Sequence, residues 1–320
     1  MELLEAMTKP PRENSDVTPE PGAAKRVRPG NMKLKNLLLL TDFSPSSELA
    51  LPYAVALAQQ YEGKVYVAHV ISPEMYEYLP PELVPQVRTE IQNYGQRRIQ
   101  ELLTRPELQE VRCEAVVREG EIWDTLKKLV ADFHIEVIVV GTRGRRGVKK
   151  ALTGAVADEV LHRAESPVLT VGPHCGCIAP EHKPKRILYA TDFSADSVRA
   201  LAYAVSLAET FGATLIPTYV APQIGEDPSA KTRFEEFFEE RLQELLAGQI
   251  SGRSHCDYRV KFGTPADGIL QAAEEEKADL IVMGVRGAGS LVRAAHHLGA
   301  TADRVVAEAC CPVLTVRELG

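Results

Sequence analysis

The chain is written twice. "LLLLTDFSPSSELALPYAVALA" (37–58) returns as "ILYATDFSADSVRALAYAVSLA" (187–208), "VIVVGTRG" (137–144) as "LIVMGVRG" (280–287), and "SPVLTV" (166–171) as "CPVLTV" (311–316). The three blocks keep their order in both halves, so whatever one half folds into, the other must fold into as well. Residues 1–33 carry Pro10, Pro11, Pro19, Pro21 and Pro29 among charged and small residues and are expected to be a disordered tail. The first unit spans 34–171. A Gly/Pro-rich linker, "GPHCGCIAPEHKPK", spans 172–185, and the second unit spans 186–320.

Within a unit, short apolar runs alternate with helical patterns. Leu37–Leu40 is a run with no polar face, as a strand covered on both sides requires. Ser44-Pro45 reads as an N-cap followed by a first-turn proline, opening a helix to about Gln60 that Pro52 should kink; the counterpart Ala202 should not. Strands "KVYVAHVI" (64–71), "CEAVVREG" (113–120), "IEVIVVG" (135–141) and "VLTV" (168–171) are separated by helical stretches, the longest within 82–103 with Gly95 as its expected weak point. Alternation of this kind implies a parallel sheet with right-handed crossovers and helices on both faces. The fold class is α/β: two doubly wound five-stranded parallel-sheet domains in tandem.

The 320 residues include 45% hydrophobic and 25% charged, an ordinary composition for a globular protein. A net charge of −7 argues against an extended nucleic-acid footprint, but not against a local basic pocket for a small anion. No run approaches the roughly 20 apolar residues of a membrane span. The N-terminus lacks a basic segment followed by an apolar one, so a cytoplasmic location is expected. The six cysteines are scattered and expected to be reduced. "HCGCIAPEH" brings His174, Cys175, Cys177 and His182 close in sequence, but C-x-C without a second pair reads as linker rather than zinc site. No metal ligands are assigned.

Doubly wound sheets bind ligands beyond the carboxyl ends of their strands, where the strand order reverses. Two loops of unusual content follow such ends: "TDFS" (41–44), and "GTRGRRGVKKALTGAVADEV" (141–160), which places Arg143, Arg145, Arg146, Lys149 and Lys150 among glycines ahead of a helix. Glycines allow close backbone approach to a polyphosphate. A helix opening near Gly154 would offer the N–H groups of Ala155, Val156 and Ala157 at its positive dipole end. The alternatives are a solvated basic loop here and, for Asp42, a carboxylate that caps the following turn. The P-loop pattern G-x-x-x-x-G-K-[ST] is absent.

G-x-x-G, nine residues, then G-[ST] ahead of a helix resembles the nucleotide motif of the universal stress protein family. Gly141, Gly144 and Gly154 fit it, and "TDFS" and "PVLTV" are also similar to that family. The resemblance covers nearly all of both units. It implies an adenine-nucleotide alpha hydrolase-like fold with strand order 3-2-1-4-5, and a site for ATP or AMP, with magnesium as its companion ion, between strands 1 and 4. Carried across, Thr41 and Asp42 line the adenosine side and Val70 lies against adenine. Gly141, Arg143 and Gly144 cross the ribose and first phosphates, and Gly154, Ala155 and Val156 meet the outer ones. The second-unit counterparts are Thr191, Asp192, Val220, Gly284, Arg286, Gly287, Gly299, Ala300 and Thr301. The resemblance also implies that the last strands of the two halves meet in an internal pseudo-dimer, and it allows a homodimer.

This sequence departs from the family pattern at Ala155 and Ala300, where Ser or Thr is expected. Each lost hydroxyl removes a hydrogen bond to a charged phosphate, roughly 1.5–3 kcal/mol, or about ten- to a hundred-fold in affinity. Thr153 is a candidate substitute. Eleven residues separate Gly287 from Gly299, against nine between Gly144 and Gly154, and the basic content is lower there, Arg286 and Arg293 with His296 and His297. The first unit is therefore expected to be the better site. No Ser-His-Asp or Cys-His arrangement is apparent, and no catalytic residue is assigned. Three functions stay open: a nucleotide-dependent stress-response module with an unnamed protein partner, a slow Mg-dependent ATP hydrolase, and a scaffold whose sites are degenerate.

Overall fold

The computed structural model describes residues 34–142, 155–175, 183–223, 225, 228–250, 255–285 and 299–317. The expected tail, and most of the basic loops after both copies of the fourth strand, lie outside them.

In the first half, β1 (Asn36–Leu40) alternates its leucines between two cores: Leu37 and Leu39 face one, Leu38 and Leu40 the other. Ser44 caps the following helix by accepting from Ser47 N at 3.2 Å, with Pro45 in the first turn. The helix does not kink at Pro52; it stops and restarts. α1 (Pro45–Glu48) ends in a turn, and α2 (Leu51–Tyr61) begins with Pro52 in its first turn. Proline has no N–H to bond back to Glu48, and its ring crowds that carbonyl, so the ladder breaks. In the second half Ala202 occupies this position and a single helix, α7 (Ala195–Phe211), runs through.

The half continues as β2 (Lys64–Ile71), α3 (Val84–Leu103), α4 (Pro106–Gln109), β3 (Arg112–Glu119), α5 (Ile122–Asp132), β4 (Val137–Gly141), α6 (Ala155–Arg163) and β5 (Val168–Val171). Gly95 is not a weak point in α3. It is buried, and a Cβ there would stand 3.2 Å from His69 Cδ2 and 3.5 Å from Val117 Cγ1. The glycine lets the helix lie close on β2 and β3. The second half repeats the plan: β6 (Arg186–Thr191), α7, β7 (Thr214–Ala221), α8 (Pro228–Leu246), β8 (Arg259–Phe262), α9 (Pro265–Glu275), β9 (Leu280–Gly284), α10 (Ala300–Glu308) and β10 (Val313–Val316).

All these strands join one ten-stranded sheet, ordered β3-β2-β1-β4-β5-β10-β9-β6-β7-β8. Each half is parallel and reads 3-2-1-4-5 outward to the seam. At the seam β5 and β10 pair antiparallel, Leu314 opposite Leu169, and Thr170 Oγ1 donates to the Val313 carbonyl at 3.0 Å. Both apolar cores cross the seam, so the halves share their interiors as well as a strand pair. The carboxyl ends of β1 and β4 lie side by side, which is the switch point of the first half.

Candidate functional site

The loop leaving β1 is built by its own short side chains. Thr41, buried, anchors to β2 through its N–H and the Ala68 carbonyl at 3.0 Å. Thr41 Oγ1 accepts from Phe43 N at 3.0 Å and lies 3.2 Å from Ser47 Oγ. Asp42 Oδ1 accepts from Ser44 N at 3.0 Å, so the carboxylate does shape the turn. Partial burial pushes its carboxyl up, but hydrogen bonds from Ser44 and Ser47 outweigh that and hold it below its ordinary value. Between them Phe43 is held at φ 60°, a left-handed conformation that bulky residues rarely adopt. The second half copies this turn: Phe193 has φ 61°, Thr191 Oγ1 accepts from Phe193 N at 3.0 Å, and Asp192 Oδ1 accepts from Ser194 N at 3.0 Å.

Opposite this loop stands Gly141, the last residue of β4. A Cβ there would stand 1.9 Å from the Ser46 carbonyl oxygen. Gly284 is equally confined, its Cβ position 2.6 Å from Ser197 N. The motif spacing assigns these glycines to phosphate contact; the abutting helix start already requires them without any ligand.

Between loop and glycine lies a cleft of about 320 Å³. Thr41, Asp42, Val70, Gly141 and Val156 all line it, joined by Ala157 from the first turn of α6. Val70 contributes apolar lining from β2, and Val156 from the first turn of α6. Among the described lining residues there is one carboxylate, Asp42, and no lysine or arginine. Ala155 opens α6. Arg143, Gly144 and Gly154 lie outside the described residues, as do Thr153 and the other cations of that loop.

In the second half Gly299 precedes α10 in an extended conformation, its N–H donating to the Val285 carbonyl at 2.9 Å. Ala300 is exposed and Thr301 half-buried in the first turn. Val220 packs against α9 at Gly268, where an added Cβ would stand 2.6 Å from Val220 Cγ1. Arg286 and Gly287 lie outside the described residues, as do His296 and His297.

Four polar lining residues were not assigned to the site from the sequence: Ser44, read there only as an N-cap, and Ser46, Ser47 and His69. Ser47 had a signal, since the serine six residues after Thr41 recurs as Ser197 six after Thr191. His69 had none, because its counterpart is Tyr219. His69 Nδ1 lies 2.9 Å from the Thr41 carbonyl, which can only accept, so that nitrogen carries the proton. In the linker Cys175 is buried, and burial pushes its thiol up to about 11; Cys177 and His182 lie outside the described residues. No group of three metal-ligating side chains occurs among the described residues. No helix there is long and apolar enough to cross a membrane.

Five parallel strands ordered 3-2-1-4-5, built twice and opening on a cleft at the switch point, define a tandem doubly wound α/β protein. The model of the universal stress protein family matches residues 33–172 and again 183–317. The chain belongs to that family. A universal stress protein of Thermus aquaticus is 41% identical over 142 residues, 42% of this chain and 98% of that protein. One from Mycolicibacterium smegmatis is 26% identical over 294 residues, 88% of this chain and 96% of its own length. A crystal structure of a universal stress protein from Archaeoglobus fulgidus aligns with TM-score 0.66 at 25% identity, covering 89% of this chain and 99% of that one.

Proposed function

We propose that the first-half cleft binds an adenine nucleotide, ATP or AMP, and that the protein acts in stress response as a nucleotide-dependent regulatory or interaction module. The observation that carries this reading is the convergence of Thr41, Asp42, Val70, Gly141 and Val156 on one cleft at the switch point. Val70 offers an apolar slot for a base. Asp42 offers a carboxylate already held ionised by its turn, suited to accept from ribose hydroxyls. The first turn of α6 supplies N–H groups and a positive dipole end for phosphate. The repeated strain at Phe43 and Phe193 supports the reading, because such conformations cluster at ligand sites. Magnesium would accompany ATP through its phosphates rather than through a protein cage.

Calorimetric titration of the purified chain with ATP and AMP tests it. Saturable binding is expected, weakened at least ten-fold in Val156→Asp, which sets a carboxylate beside the phosphate end of the slot. No heat from either nucleotide at millimolar concentration would overturn the proposal. ADP release above background with Mg-ATP would move the protein from binding module to slow hydrolase.

A further inference from the structure

The two halves finish their last helix differently, and the difference falls at matched positions. Thr142 and Val285 leave β4 and β9 alike, their N–H groups donating to the Val171 and Val316 carbonyls at 2.8 and 3.0 Å. Gly172 and Arg317 follow β5 and β10. The buried Arg317 donates through Nη2 to the Leu161 and His162 carbonyls at the C-terminal end of α6. That helix also has His162 and Arg163 in its last turn. α10 has no basic residue in its last turn and closes on Glu308. Its ladder ends with Ala309 N donating to Val305 at 2.9 Å, so the Val306 carbonyl lies beyond the ladder.

Gly172 sends no side chain to that end of α10. The point a Cβ would occupy on it lies 3.7 Å from Thr142 Oγ1 and 3.9 Å from each of the Val306 and Ala309 carbonyl oxygens. Among the described residues outside its own stretch of chain, these three oxygens are its nearest neighbours. Thr142 is 0% exposed, and its hydroxyl has no hydrogen-bond partner among the described residues. A buried hydroxyl aimed at two buried carbonyls calls for a bound water or ion. A water matches three oxygens in number, but the charge pattern favours a cation. A helix C-terminus carries about half a negative charge, Glu308 adds to it, and the matched place at α6 is taken by a guanidinium. The three oxygens are neutral, whereas calcium and magnesium sites draw on carboxylates; carbonyl oxygens suit a singly charged ion.

We propose that Thr142 Oγ1 and the Val306 and Ala309 carbonyls hold a monovalent cation of the potassium type, in place of the guanidinium that Arg317 brings to α6. The half that lacks the arginine is the half that carries the hydroxyl, since Val285 stands where Thr142 does. The ion ties the residue after Gly141 to α10 of the other half, and so braces the strand end that borders the cleft. It stabilises the folded chain by mass action whether or not nucleotide is bound.

The test uses the full chain without nucleotide and potassium chloride as the probe, exchanged against tetramethylammonium chloride at fixed ionic strength so that screening is unchanged. Potassium at ten times its Kd is expected to raise Tm by about 2 °C. Thr142→Val, which copies Val285, is expected to abolish the rise; if it does not fold, Gly172→Arg, which copies Arg317, is read the same way. A crystal grown in rubidium chloride is expected to show an anomalous peak beside the three oxygens. Equal Tm in the two salts, or no rubidium peak there, would overturn the proposal and leave the oxygens to a buried water. So would a potassium rise of the same size in the variant, since it would place the ion elsewhere.

Discussion

Gly141 illustrates how a residue can satisfy one argument and answer to another. Its position ahead of a basic loop suggests phosphate contact, but the Ser46 carbonyl stands where its Cβ would go. Gly141→Ala should therefore destabilise the unliganded protein, by about 3 kcal/mol since backbone must move. Urea unfolding without nucleotide measures this; an unchanged midpoint would return the glycine to the ligand. Asp42 gives a prediction in pH. Its folded-state carboxyl is held below the ordinary 3.8, so its contribution is complete above that value and is lost as pH falls through the folded one. The stability difference between the natural protein and Asp42→Asn should be constant from pH 7 to 5 and shrink below about pH 4. A difference that grows on acidification would mean the turn does not favour the ionised form. Thr41 and Asp42 were legible as residues because the turn is local and stated twice. Ser47 was overlooked because its partner, Thr41 Oγ1, meets it only once the helix has folded back.

At the level of elements, the helix that opens the cleft is held from the far half. Arg317, just past β10 and 6% exposed, donates through Nη2 to the Leu161 and His162 carbonyls at 3.3 and 2.7 Å. A guanidinium there satisfies the last carbonyls of α6 and complements its dipole. The first-half counterpart is Gly172, which has no side chain to reach α10. Arg317→Met keeps the stem and removes the charge, and should cost about 2 kcal/mol. Thermal unfolding checks it, a change under about 0.5 kcal/mol being the outcome that refutes the cap. Strand and helix order were readable because buried strands are uniformly apolar and helices carry their caps. The break before Pro52 and the close approach at Gly95 were not, since both depend on which atoms lie opposite: the Glu48 carbonyl in one case, His69 and Val117 in the other.

Across the whole molecule, β5 and β10 turn two units into one sheet with shared cores. A carboxylate in that seam should uncouple them, because Leu169 is 4% exposed and a buried unpaired charge is costly. Leu169→Asp is expected to replace one cooperative calorimetric transition by two. Retention of a single transition would mean the halves are held chiefly elsewhere. The sequence by itself determined the duplication, the alternation of strand and helix, and the turn after the first strand that bounds the cleft, because those follow from local apolar patterns and turn chemistry repeated in order. Tertiary structure alone decided that Gly141 serves packing, that Ser47 and His69 join the cleft, that Arg317 reaches across to α6, and that three oxygens converge beside Gly172. Each depends on distances between residues far apart in the chain, and these are set only when strands of fixed spacing and helices of larger diameter are laid over one another.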